Sequence, residues 1–129
     1  MSKKILIFAT LLAAITIAIG AFGAHGLKQL VDESSVKSFE TAVRYQMYHV
    51  IALVIIGFAG SISESTKKWV FRFFIGGILL FSGSIYALVL KDFMPFNTSF
   101  LGPVTPLGGL LFIVGWLRFC YGIFKLKAA

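Results

Sequence analysis

Charge is scarce in this sequence. Of 129 residues, 12 are basic and 5 acidic, so charged side chains make up 13% of the chain. A soluble domain of this length needs a polar shell, and so few charges cannot build one. Cysteine is nearly absent. Cys120 stands alone, which excludes an intrachain disulfide and any cysteine-cluster metal site. In the fourth apolar run it reads as a small packing residue. The sequence shows no nucleophile–base pair, metal-ligand cluster or phosphate-cradling glycine loop, so neither an enzyme nor a bound metal or cofactor is expected.

Apolar side chains fill the chain instead, at 58% of residues and a mean hydropathy of +0.92. A hydrocarbon core of about 30 Å takes roughly 20 helical residues to cross. Four runs qualify, at about 5–24, 45–62, 69–90 and 106–124. The expected fold is all-α: one integral membrane domain, a four-helix bundle, with an interfacial amphipathic helix leading into the second span. The first run follows Lys3 and Lys4 and is longer than the roughly 7–15 apolar residues of a cleavable signal, so it is read as a retained span. Before the second span, Ser34 or Ser35 can act as an N-cap. Val36, Phe39, Val43 and Met47 then share one helical face. Pro106 falls near the first turn of the fourth span, where its missing N–H costs little.

A net charge of +7 in a soluble protein would suggest nucleic acid. Here the basic residues sit at the ends of apolar runs with no aromatic-interleaved patch, so they read as topology signals and contacts to anionic lipid, and no nucleic-acid partner is expected. Four spans put both termini on one side, together with Lys3, Lys4, Lys67, Lys68, Arg72, Arg118, Lys125 and Lys127. The other side has Lys28, Lys37, Arg44 and Lys91, with most of the acidic residues. Positive charge marks the cytoplasmic side, so both termini are expected in the cytoplasm and the 25–44 and 91–106 segments outside. Glycines repeat every seven residues, Gly76 and Gly83 in the third span and Gly108, Gly115 and Gly122 in the fourth. Small residues at this spacing suggest close helix packing.

Polar groups at the edge of hydrocarbon are costly without partners. They concentrate around Tyr45-Gln46-Met47-Tyr48-His49. His49 lies four residues past Tyr45, about 6 Å deeper at 1.5 Å per residue. His25 ends the first span on the same side, Ser82, Ser84 and Tyr86 approach that side from the third, and Thr105 begins the fourth. With Arg44, these residues form a candidate ligand-binding cluster in the outer half of the bundle. Hydrogen bonds are expected from Ser82, Ser84 or Tyr86 to His49, and from Gln46 to a neighbouring backbone. The same cluster also reads as polar packing: membrane serines bond to the carbonyl four residues back, and tyrosines line interfaces.

The segments Gly20-Ala21-Phe22-Gly23-Ala24-His25-Gly26-Leu27, Tyr45-Gln46-x-Tyr48-His49, Phe81-Ser82-Gly83-Ser84-x-Tyr86 and Thr105-Pro106-x-Gly108-Gly109, with Gly115-Trp116, carry a family resemblance. In order and spacing they resemble the YgdD/YwdK-like family, small bacterial inner-membrane proteins grouped as a domain of unknown function, with a mitochondrial transmembrane counterpart. The resemblance implies a four-span helical protein of the plasma membrane and brings no reaction, ligand or catalytic residue with it. The leading expectation for function is a non-enzymatic membrane protein that supports envelope integrity or a membrane complex, by binding membrane lipid at the polar cluster and by homo-oligomerising through its glycine-lined helices. Two alternatives stand beside it. One is a haem- or quinone-binding anchor subunit using the two histidines. The other is a small-molecule or ion permease using Glu40, Arg44 and His49.

Overall fold

The computed structural model describes residues 1–127, whose regular structure is all helix, joined by short non-helical segments such as 59–63 and 94–98. Helix α1 covers Lys3–Ala24 and ends in a short 3₁₀ turn at Gly26–Gln29. Helix α2 covers Glu33–Phe58. Helix α3, Glu64–Gly77, runs without a break through one π turn, Ile78–Ser82, into helix α4, Gly83–Val89. Two 3₁₀ turns, Lys91–Phe93 and Ser99–Leu101, lead to helix α5, Val104–Phe124. Four stretches are long and apolar enough to cross a membrane, as expected, with α3, the π turn and α4 forming the third.

The ends of the elements follow from local chemistry. The cap of α2 is Asp32 rather than Ser34 or Ser35. In extended backbone its carboxylate reaches the Ser35 N–H at 2.8 Å, and no serine has to leave the helix to do so. Ser63 caps α3 in the same way, its hydroxyl accepting from the Thr66 N–H at 3.1 Å. The amphipathic segment and the second span are one helix of 26 residues, about 39 Å long at 1.5 Å per residue. The segment's apolar face is buried: Val36 and Phe39 cluster with Leu27, Ile19, Tyr86 and Val89. That contact holds the amphipathic turns in line with the span. The helix stops at Phe58 rather than residue 62, because Ala59 turns to extended backbone ahead of Gly60.

Two antiparallel pairs make the bundle. In the first, α1 lies on α2, with Gly23 under the Phe39 ring, Gly57 under Leu6, and the Ser2 N–H donating to the Gly57 carbonyl at 2.7 Å. In the second, α5 lies on α3 and the π turn. The stripe Gly108, Gly115, Gly122 is buried along this seam. A Cβ on Gly115 would stand 2.6 Å from the Phe74 ring, one on Gly108 would meet the Phe81 backbone, and one on Gly122 would meet Thr66. Gly76 faces Leu111 in the same seam, whereas Gly83 has ordinary room and is not a packing glycine. The π turn explains this: its extra residue rotates the helix between Gly76 and Gly83, so the two no longer share a face.

Ala9, Val50, Leu53, Ile56, Val70, Phe74 and Phe112 form the core where the pairs meet. The outer surface is apolar too, with Leu11 63%, Ile55 60% and Leu117 64% exposed, as suits a lipid solvent. Cys120 is exposed on α5 rather than packed inside.

Candidate functional site

The polar residues inside the bundle form hydrogen-bond chains that cross from helix to helix. Thr16, the one buried polar residue of α1, donates its hydroxyl to the Leu12 carbonyl at 2.7 Å. That proton is then spent, so the Thr16 oxygen accepts, and Gln46 of α2 presents its amide nitrogen to it at 2.7 Å. The other end of the amide, Oε1, accepts from the Tyr86 hydroxyl of α4 at 2.7 Å. The direction of every bond from Tyr86 to Leu12 is thereby fixed. Beside it, Ser82 is fully buried and donates to the Ala42 carbonyl of α2 at 2.7 Å.

His49 is the second centre. Its Nδ1 lies 2.6 Å from the Tyr45 carbonyl, which can only accept, so Nδ1 carries the proton. Nε2 accepts from the indole N–H of Trp116 on α5 at 3.0 Å. The ring is thus neutral with both nitrogens engaged. It stacks on Phe112 at 3.7 Å and 12°, and meets the edge of Phe74 at 4.8 Å. Toward the loop end, Thr105 of α5 joins Ser84 of α4, whose hydroxyl donates to the Phe81 carbonyl at 3.0 Å. Toward the terminal end, Arg118 of α5 donates to Thr66 of α3 at 3.1 Å.

Several expected pairings are replaced. Tyr86 bonds Gln46, not His49. Gln46 spans two side chains, not a backbone group. Ser82 takes the α2 backbone, and the partner of His49 is Trp116. The polar groups also run deeper than the outer half, since Trp116 lies 12 residues below Val104, about 18 Å along the helix. The structure therefore brings Gln46, His49, Ser82, Ser84, Tyr86 and Thr105 into the interior, and it leaves His25, Arg44, Tyr45 and Tyr48 exposed. Arg44 bonds only Thr41, at 3.2 Å, and Tyr45 and Tyr48 turn outward with rings 5.8 Å apart. Thr16 and Trp116 were missed. The one available signal for Thr16 was a lone hydroxyl in mid-span, and for Trp116 an indole well inside the fourth run.

Among the described residues no buried side-chain nitrogen or oxygen lacks a partner, and no group of three or more His, Cys, Asp or Glu is placed to hold a metal. The network offers no free base or nucleophile. Beside it, between α2, the π turn and α5, a groove of ≈560 Å³ opens sideways on the outer surface. Tyr45, Phe81, Pro106, Leu110, Ile113 and Trp116 make it chiefly apolar, with His49 at its floor.

Apolar spans of this length, tied by a closed polar network, define a small multi-span α-helical membrane protein. The chain belongs to the family described as protein of unknown function (DUF423), whose model matches residues 19–109. It is 39% identical over 123 residues to a UPF0382 membrane protein of Staphylococcus aureus (strain bovine RF122 / ET3-1), covering 95% of this chain and 97% of that one. It is 36% identical over 120 residues to the UPF0382 membrane protein YwdK of Bacillus subtilis, covering 89% and 91%. With the UPF0382 membrane protein of Haemophilus influenzae it shares 34% identity over 128 residues, 99% of each chain. No solved structure matches.

Proposed function

We propose that this protein is a non-enzymatic component of the bacterial plasma membrane that supports the integrity of the membrane or of a complex within it, by seating a lipid acyl chain in the groove over the His49–Trp116 pair. The observation that carries this reading is the contrast between the groove and the network behind it. The polar groups are satisfied within the protein, so what the groove presents to a ligand is apolar wall. A lateral apolar cleft in a helical bundle suits a hydrocarbon chain better than a polar metabolite. In this reading both termini lie in the cytoplasm, as the asymmetry of basic residues argues. Self-association, if it is part of the role, draws on the outward faces of α1 and α5, since the glycine stripe is already used inside the chain.

Neither alternative gains support. A haem iron would need a histidine nitrogen that Trp116 and Tyr45 occupy, and His25 stands exposed at the end of α1. Glu40 and Arg44, the other members of the permease relay, are exposed on α2.

Gly109 lines the groove and has room for a Cβ, the nearest atom being a Phe81 ring carbon at 3.8 Å. Gly109→Phe adds a ring at a position that lines the groove and tolerates a Cβ. A strain lacking the protein should take up more of a hydrophobic dye; wild type should reverse this and Gly109→Phe should not, while lipid mass spectrometry should show the variant depleted of co-purified lipid. Full complementation by a folded Gly109→Phe variant with unchanged lipid content would sink the proposal.

A further inference from the structure

A second groove, of ≈430 Å³, lies between α1 and α3 at the end of the bundle that carries both termini. Its basic lining is Lys4, Lys67, Lys68 and Arg72, and its one carboxylate is Glu64. Ser2 adds one neutral polar residue, and the rest is apolar: Ile5, with Phe8 and Phe71 packed edge to face at 5.4 Å. Lys67 is the unusual member. As a whole residue it is 1% exposed, so its stem is enclosed, but its ammonium is no buried orphan: it opens on the groove, and among the described residues it makes no hydrogen bond and no ion pair; the single salt bridge in the protein's described part is Lys37 with Glu33. A lysine can sheathe its methylene stem in protein while its charged head stays at an opening, and here that opening is the groove. An unpaired cation at the floor of a groove with three more cations on its rim calls for an anion from outside the chain.

We infer that this groove binds the phosphate of an anionic phospholipid headgroup, with Lys67 as its central ligand. The position fits: Lys4 and Lys67 both lie within the first turn of their helices, α1 and α3, at the level where an apolar span meets headgroups. Basic pockets between spanning helices at this level are suited to anionic headgroups. A charge-assisted hydrogen bond from Nζ to a phosphate oxygen would pair this ammonium. The apolar part of the lining, Ile5, Phe8 and Phe71, has no use for inorganic phosphate but accepts the glycerol backbone and the first methylenes of an acyl chain. This favours a lipid over a soluble anion. The site is separate from the groove beside His49 and does not depend on it.

The test uses the full chain in phosphatidylcholine nanodiscs, doped with phosphatidylglycerol, and reads melting temperature together with bound lipid by native mass spectrometry. Wild type should retain phosphatidylglycerol over phosphatidylcholine and melt several degrees higher in its presence. Lys67→Met keeps the buried stem and removes the charge. It should lose about fivefold in that preference, lose the thermal shift, and melt no lower than wild type in phosphatidylcholine alone. Equal retention of both lipids by wild type, or an undiminished preference in Lys67→Met, would overturn the site. So would an equal loss in Lys125→Gln/Lys127→Gln, which would mark diffuse surface charge, or displacement of the lipid by millimolar inorganic phosphate, which would mark a soluble anion. Should Lys67→Met fail to melt cooperatively, the exposed variants Lys4→Gln and Arg72→Gln decide: loss of preference supports the site and retention overturns it.

Discussion

The bond from Tyr86 to Gln46 allows a double-mutant cycle whose outcome separates a working network from incidental contacts. Tyr86→Phe removes one hydroxyl and keeps the ring against Phe39 at 4.8 Å. It leaves Gln46 Oε1 without a donor at a residue only 2% exposed. Gln46→Leu keeps comparable volume, leaves the Tyr86 hydroxyl without its acceptor, and spares the Thr16 bond to Leu12. Orphaning a buried polar group costs about 1–3 kcal/mol in water-soluble proteins. In membranes the measured coupling of such pairs averages about 0.6 kcal/mol, because the unfolded chain also finds partners in the bilayer. Gln46 joins three helices and is nearly inaccessible, so the larger regime applies. Each single substitution should cost about 1–2 kcal/mol, and the double variant should cost about 1 kcal/mol less than their sum, since neither orphan remains. Reversible unfolding in mixed micelles with increasing fraction of a denaturing detergent, followed by far-UV circular dichroism, measures all four corners. Additivity within about 0.3 kcal/mol would refute the network, and so would a stabilised Gln46→Leu single variant.

Three further outcomes follow from the same geometry. Trp116→Phe leaves His49 Nε2 unpaired and should cost about 1–2 kcal/mol in that unfolding assay, while ¹⁵N spectra of the wild-type imidazole should show the proton on Nδ1; a proton on Nε2 would contradict the assigned donors. Gly108→Ala drives a Cβ into the Phe81 backbone and should destabilise by about 3 kcal/mol or abolish folding, whereas Gly83→Ala has open space and should be neutral or stabilising by up to about 1 kcal/mol. Hydrogen bonds from Ser35, first its hydroxyl and then its amide, hold the Asp32 carboxyl below its ordinary value. A carboxylate depressed in the folded state stabilises above the ordinary carboxylate range, and that contribution fades as pH falls through the depressed value. Amide exchange at the first turn of α2 should therefore loosen in acid relative to neutral pH, after correction for intrinsic exchange rates, and Asp32→Ala should show no such difference.

The spans were legible because a bilayer imposes a length and an apolar composition that survive any rotation of the helix. The residues that line the interior were partly legible for the same reason: Gln46, His49, Ser82 and Tyr86 are too polar to face lipid. Their partners were not, because a hydrogen bond depends on helix rotation and register. Composition carries neither. Thr16 in an otherwise apolar run looks like any hydroxyl bonded back along its own helix, which it is; nothing marks it as the acceptor for Gln46. The π turn was equally invisible, since one added residue leaves hydropathy unchanged. Yet it turns Gly83 off the seam, and its last residue, Ser82, makes the contact with Ala42. The stripe on α5 was readable because that helix has no such interruption.

Whether a polar cluster in a membrane protein is a lock or a site is decided by valences, not by residue type. His49 has the chemistry of a ligand or base, but its two nitrogens are committed to Tyr45 and Trp116, and any new bond must break one already made. Gln46 is engaged at both ends of its amide, by Tyr86 and Thr16, and at 2% exposure it does not reach the groove. Every bond in this set joins two helices or fixes the rotation of one, so the cluster that dominates the sequence works as the bundle's internal lock. An unused valence in the described chain has to be sought among groups that sequence patterns treat as mere topology signals. Lys67 is one of these: a basic residue at a span's end, ordinary by position, but with its stem enclosed and its ammonium open on a groove without a partner among the described residues. Substituting the lock should therefore change stability without changing which lipid is bound, and substituting Lys67 should do the reverse. A Tyr86→Phe variant that altered phosphatidylglycerol preference as much as Lys67→Met would show that the two ends of the bundle are not independent.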